Sequence, residues 1–233
     1  QGGPMDYTPG IFRMNLSEFA PGNTSHVNST VANQLALYLT MYSPLQMAAD
    51  FPEHYAEKPD AFQFIKDVPV DWADSRYLEA EPNRYITVAR LDKNSDDWYV
   101  GAITDENPRT ALIDMSFLPK GEKYVATIYE DAPDAHWKDN PQAYRIRTVK
   151  VDSKTKLKQR LAAGGGAAAR PHGDSRALGI VHEILDDEEI ARETHRLHNV
   201  KFKLQSFHYF FGQRITIEYF SPVKSKFGKV VRF

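Results

Sequence analysis

Apolar positions along the chain fall into three regimes. Between Val31 and Tyr42 they recur at Val31, Leu35, Tyr38, Leu39 and Tyr42, a helical spacing that predicts one broad apolar stripe packed against another element. Asn28 or Ser29 is placed to cap the start, and Pro44 stops the helix. The next stretch, Leu45-Gln46-Met47-Ala48-Ala49-Asp50, is too short and too apolar for a surface helix. It reads as a buried strand, although periodicity does not separate that from a helical turn. A helix followed at once by a buried strand is the unit of α/β architecture. A short helix is expected around Asp60–Lys66, with Pro59 at its start. Residues 1–24 read as loop, with Pro9-Gly10 and Pro21-Gly22-Asn23 as turn punctuation.

The regime changes after Pro69. Runs rich in β-branched and aromatic residues appear at Tyr85–Arg90, Trp98–Thr104, Thr110–Met115, Tyr124–Tyr129 and Tyr144–Val149. Turn clusters at Asn94–Asp97, Glu106–Pro108 and Pro119–Gly121 separate them. Short strands at near-regular spacing with turn signals between them predict an antiparallel β-sandwich over residues 70–161.

Residues 162–170, Ala-Ala-Gly-Gly-Gly-Ala-Ala-Ala-Arg, read as a low-complexity linker. Beyond it the third regime begins. Ile180–His198 is helix-like with an acidic cluster at Asp186–Glu189, and Phe207–Phe211 and Arg214–Phe220 read as a hairpin around Gly212-Gln213. The fold class expected is therefore α+β: residues 1–69 with an α/β unit, a sandwich at 70–161, a linker at 162–170 and a small helix-plus-hairpin segment at 171–233.

Composition narrows the functional classes. A net charge of -2 gives no bias towards nucleic acid or acidic membranes. No apolar run approaches the roughly 20 residues that span a bilayer, and the first residues carry no basic stretch followed by an apolar one, so no signal peptide is read there. With 0 cysteines, disulfides and thiolate metal sites are excluded.

Four stretches carry a resemblance. They are Gly3-Pro4-Met5-Asp6-Tyr7-Thr8-Pro9-Gly10; Gln34–Tyr38 with Tyr42-Ser43-Pro44-Leu45-Gln46-Met47-Ala48-Ala49-Asp50; Phe64-Ile65-Lys66-Asp67-Val68-Pro69-Val70-Asp71-Trp72; and Trp98-Tyr99-Val100-Gly101-Ala102-Ile103-Thr104-Asp105-Glu106. In order and spacing they resemble family 97 glycoside hydrolases, a group of α-glucosidases and α-galactosidases, over about residues 1–168. The resemblance implies a three-part parent: an N-terminal β-sandwich, a (β/α)₈ barrel and a C-terminal β-sandwich. This chain would supply the end of the barrel and the last sandwich. It further implies calcium in the parent, with the general acid and calcium-binding glutamates on barrel segments ahead of Gly3–Gly10. A periplasmic or cell-envelope location in a bacterium is implied as well. Glycoside hydrolysis needs two carboxyl groups, and a complete barrel takes roughly 200 residues or more. Residues 1–69 are too few, so the chain alone is not expected to hydrolyse a glycoside, and its catalytic residues are read as none.

Three residues are placed on the substrate side by this reading. Asp6 and Tyr7 sit in the loop near the active-site face, and Asp50 ends the expected strand, the end where barrels place their chemistry. The bland alternative is a loop carboxylate bonding neighbouring amides. Asp92, Asp96, Asp97, Asp105 and Glu106 lack the spacing of a calcium loop, and solvated turns are the better reading. Trp98, Trp137 and Tyr144 invite a sugar-stacking role, against which stands the tendency of strand aromatics to be core. His195 and His198 share a helix face without a third ligand, and the basic, aromatic C-terminal end suits hairpin packing better than nucleic acid. An exposed apolar stripe on the barrel helix would favour self-association. Two functions remain open: a portion of a glycosidase, with an oligosaccharide or the missing enzyme portion as partner, or a non-catalytic sandwich binding glycan or protein.

Overall fold

The structure is a computed structural model in which residues 6–173 are described. Three helices come first, α1 (Val31–Thr40), α2 (Pro52–Ala56) and α3 (Pro59–Asp67). Eight strands follow: β1 (Trp72–Glu81), β2 (Tyr85–Asp92), β3 (Trp98–Thr104), β4 (Arg109–Asp114), β5 (Tyr124–Asp131), β6 (Tyr144–Val151), β7 (Lys156–Leu161) and β8 (Gly166–Gly173). Six of them form one antiparallel sheet in the order β1-β2-β3-β8-β5-β6, and β4 pairs with β7 in a second sheet.

Side-chain alternation along the strands builds two cores on the two faces of the large sheet. Val88, Tyr99, Tyr129 and Ala168 point to one face and pack with Leu35, Leu39 and Phe64 of the helices. The alternate positions Ala89, Trp98, Val100, Ile128 and Ala169 point to the other, against Ile113, Met115 and Phe117. The sandwich is thus real, with a helical layer added on its outer face. Leu35 and Leu39 are 0% exposed, and each such burial is worth about 1.5–3 kcal/mol.

Several sequence expectations are corrected here. Thr30, not Asn28 or Ser29, caps α1, its hydroxyl accepting from the Asn33 amide at 3.1 Å. The helix ends at Thr40, which leaves Tyr42 outside it and exposed. The stripe on α1 lies buried on the sheet, so it is not the exposed surface expected to drive self-association. The apolar exposure lies instead at Met41, Tyr42, Leu45, Met47 and Phe51. Residues 45–50 are not a buried strand: Leu45 is 52% exposed. They run parallel to residues 7–9, with the Met47 amide donating to Tyr7 O and the Ala49 amide to Pro9 O, so they are paired on one side.

The expected linker is the largest departure. Residues 166–173 are β8, the strand between β3 and β5 in the middle of the sheet, and Ala167, Ala168 and Ala169 are at most 3% exposed. Strand propensity is weak in an Ala/Gly run, yet only small residues let α1 lie this close to the sheet. Two further strands, β1 and β7, had no clear signal. The helix and hairpin expected between Ile180 and Phe220, and His182, His195, His198 and His208, lie outside the described residues.

Candidate functional site

The first turns of α1 organise the end of the molecule that holds the predicted site. Gln34 is buried, and its side-chain carbonyl accepts from the amides of Gly10 at 3.0 Å and Ile11 at 3.3 Å. At the other end of α1, the Gln46 amide group donates to Tyr38 O and Met41 O, both at 3.1 Å. Helix α1 therefore runs antiparallel to segments 7–9 and 45–50, whose C-terminal ends meet the helix N-terminus. Tyr38 spans the pair, its hydroxyl within 3.2 Å of Pro9 O and 3.1 Å of Met47 O. The structure brings the three predicted residues onto these two adjacent segments, but it gives them different environments.

Asp6 is exposed at the start of its segment. Tyr7 is half-buried, and burial raises its phenol pKa above the ordinary value. Asp50 has a side chain only 1% exposed. One carboxylate oxygen accepts from the amides of Phe12 at 2.7 Å and Arg13 at 2.8 Å, and the other from Phe51 at 2.9 Å and the His54 ring at 2.5 Å. Burial works to raise its pKa, but the amides and the imidazole outweigh it and hold it below the usual carboxylate value. This is a carboxylate committed to fixing the turn after segment 45–50, and its acceptor positions are filled. The His54 ring also meets the rings of Phe19 and Phe51 edge-on, with centroids 5.4 and 5.7 Å apart.

Asp50→Ala is expected to destabilise the chain by about 2–3 kcal/mol, since two or more buried amides lose their acceptor. Because the native pKa is depressed, the Asp50 contribution is present above the unfolded carboxyl pKa and is lost as pH falls through the native value. Denaturant titrations of wild type and variant across the acid range check this: the gap between them should close towards low pH.

A second buried carboxylate, Asp131 at the end of β5, was not anticipated. Its side chain accepts from the Thr30 hydroxyl at 2.6 Å and from the amides of Ala162 at 2.8 Å and Gly166 at 2.9 Å. It joins the cap of α1 to the turn that leads into β8. An acidic residue at a strand end is a weak signal by itself, and the turn it serves had been read as linker.

The acidic turns and strand aromatics also have partners within the fold. Asp97 is 3% exposed and paired with Arg170 at 2.9 Å, not a solvated turn residue. Trp98 is 4% exposed core, and the Tyr144 hydroxyl donates to Asp60 at 2.6 Å. Among the described residues no group of three or more His, Asp or Glu side chains is arranged to hold a metal ion.

Comparison with known proteins gives a consistent picture. Residues 71–171 match the family described as glycosyl-hydrolase 97 C-terminal, oligomerisation. A retaining alpha-galactosidase of Bacteroides thetaiotaomicron is 37% identical over 171 residues, 72% of this chain and 25% of that protein. A probable retaining alpha-galactosidase of Streptomyces bingchenggensis is 27% identical over 132 residues, covering 57% of this chain and 19% of that one. The chain thus spans about a quarter or less of the length of these relatives. Among solved structures, a glycoside hydrolase family 97 enzyme from Pseudoalteromonas sp. strain K8, in complex with acarbose, superposes with a TM-score of 0.68 at 44% identity, over 73% of this chain and 26% of that one. A beta-arabinopyranosidase at 22% identity and a TM-score of 0.59 shares the fold.

Proposed function

The chain belongs to glycoside hydrolase family 97, as its C-terminal part, and from that premise we propose that it completes an enzyme cleaving α-linked galactose, with retention, or α-linked glucose. In this reading the residues up to 69 supply the last segments of the catalytic barrel, and the sandwich from residue 70 holds them in place and mediates self-association. The oligosaccharide substrate meets the barrel at the end where segments 7–9 and 45–50 finish, with Asp6 and Tyr7 on the substrate side. Asp50 acts there as a positioning residue. The general acid, the nucleophile and the ligands of any calcium come from barrel segments ahead of Asp6. We place the parent in the bacterial periplasm or cell envelope.

One observation supports this reading above the rest. Leu35, Leu39 and Phe64, ahead of the sandwich, share one core with Val88, Tyr99 and Tyr129 within it. A segment anchored this way is held in one orientation, as a barrel end must be for its loops to contribute to a site.

The test is release of p-nitrophenol from the α-galactoside and the α-glucoside by the purified chain, first with calcium and then with chelator, beside sedimentation at several concentrations. No turnover and concentration-dependent association are expected. Chelator-sensitive turnover by this chain alone would overturn the assignment of the catalytic carboxylates to other segments. A monomer at every concentration would remove the self-association role.

A further inference from the structure

The net charge of the chain is -2, but its charges are segregated along the fold. Residues 6–108 carry sixteen aspartates and glutamates against seven arginines and lysines. Between Tyr144 and Leu161 the balance reverses, with seven arginines and lysines and one acid, Asp152. That stretch is β6, a short turn and β7, so the excess of cations belongs to one pair of successive strands.

The smaller sheet displays it. Along β7, Lys156, Lys158 and Arg160 are exposed, and they alternate with Leu157, Gln159 and Leu161, which are partly or fully buried. Opposite them on β4 stand Asp114, Leu112 and Thr110. The outer face is therefore an open patch with three cations about 7 Å apart along one strand, an exposed leucine and one acid. Leu112 is 48% exposed and lies directly across from Lys158. Asp114 holds Lys156 at 3.1 Å, whereas Lys158 makes no ion pair among the described residues. At the flank, Arg145 and Arg147 share the one carboxylate of Glu130, at 2.5 and 2.9 Å. Arg147 also reaches Gln159 of β7 at 3.2 Å, which leaves a further positive charge beside the face.

Lysines on an outer strand commonly keep other strands away. That role is served by charge of either sign, and β1, at one edge of the large sheet, carries Asp74, Arg76, Glu79 and Glu81. The single sign on β7 needs another reason. Two copies meeting through this face about a two-fold axis would set like charges against one another. None of its six residues is aromatic, so the face offers no stacking platform for a sugar or a base. Lysine is a point charge, without the forked geometry by which arginine grips a single phosphate or carboxylate. Diffuse positive charge around an exposed aliphatic side chain suits an extended negative surface, where headgroups attract the cations and the aliphatic group enters the acyl boundary.

We propose that the outer face of β4 and β7 docks the sandwich on the anionic phospholipid headgroups of a bilayer. Lys156, Lys158 and Arg160 meet the phosphates, and Leu112 enters between them. The contact is peripheral, since among the described residues no helix is long and apolar enough to cross a membrane. It rests on the sandwich alone and holds whatever sugar the parent enzyme cleaves.

The experiment is co-sedimentation of the full chain with vesicles of phosphatidylcholine, alone or mixed with phosphatidylglycerol, at low and high salt. Binding is expected with the mixed vesicles only, and it should fall away in high salt as the charges are screened. Lys158→Gln should lower the partition constant about fivefold. The triple variant Lys156→Gln, Lys158→Gln, Arg160→Gln should bring it to background. Asp114→Asn removes the one acid of the face and keeps an acceptor for the Ser116 amide, so it should strengthen binding several-fold. A loss of fold cannot produce that gain, and melting curves verify that the triple variant is folded. Absence of binding to the mixed vesicles, or binding that none of the variants changes, overturns the proposal. Displacement by inorganic phosphate beyond that by chloride at equal ionic strength would make the face a site for the free anion. Retention on polygalacturonate without vesicle binding would assign it to an acidic polysaccharide, and either result overturns the docking.

Discussion

Asp131→Ala is expected to destabilise the chain by about 4 kcal/mol, because three donors buried around one carboxylate lose their acceptor together. The donors are the Thr30 hydroxyl and the amides of Ala162 and Gly166, with Asp131 itself 4% exposed. Water has little access to replace it. Asp131→Asn should be much milder, since its carbonyl can still accept from both amides while its NH₂ donates to Thr30. Urea unfolding of the two variants at neutral pH separates these outcomes, and equal losses for both would remove the clamp from the account.

The pH dependence at this site runs opposite to that of Asp50. Burial pushes the Asp131 carboxyl above its ordinary value, with Thr30 and the amides of Ala162 and Gly166 acting against burial without cancelling it. A native pKa above the unfolded one means that the folded chain binds more protons in that window. The contribution is then fully present below the unfolded value near 3.8 and is lost as pH rises through the native one. Asp131→Asn deletes this slope and leaves the Asp50 slope in place. The variant's stability should therefore climb more steeply with pH than wild type's as the solution leaves the acid range.

The second large effect is expected at Gly165 and Gly166. A Cβ on Gly165 would stand 2.0 Å from Asp131 Oδ2 and 2.7 Å from the Ala162 nitrogen, and one on Gly166 would stand 2.6 Å from Asn33 Cα and 2.9 Å from Ala102 O. The neighbours of Gly166 are backbone of α1 and β3 and cannot move aside without separating helix from sheet, whereas those of Gly165 are the buried Asp131 carboxylate and the Ala162 backbone across the same tight turn. Alanine at either position should cost about 3 kcal/mol. For an ordered region of this size that lowers the melting temperature by roughly 6–12 °C. In a flexible linker the same substitutions would change stability by less than about 0.5 kcal/mol. Thermal melts of the two variants thus decide between a strand entry and a linker with one measurement.

That contrast marks where local reading stopped. β2, β3, β5 and β6 announced themselves because Tyr85–Arg90, Trp98–Thr104, Tyr124–Tyr129 and Tyr144–Val149 carry the aromatic and β-branched side chains that pack on a pleated surface. α3 was visible through Pro59 at its first turn. β1 was hidden, because irregularities between Trp72 and Asp74 and between Tyr77 and Glu79 break its alternation. β7 was hidden as well, since Gln159, 2% exposed, takes a core-side position between Leu157 and Leu161.

The candidate site divides in the same way. Asp50 was legible as a residue at the end of a strand-like segment, and the motif around it pointed to the right family. Its chemistry was not legible, because the amides that fill its lone pairs belong to Phe12 and Arg13 in another segment.

By itself, then, the sequence determined the family, the antiparallel sandwich and the positions of α1 and α3, all of which depend on side-chain type and spacing within a few residues. Only the tertiary structure decided that Ala167–Ala169 form the middle of the sheet and that Asp131 clamps helix to strand. Each of these depends on contacts between residues far apart in the chain, where small size, burial and lone-pair direction matter and local propensity carries no information.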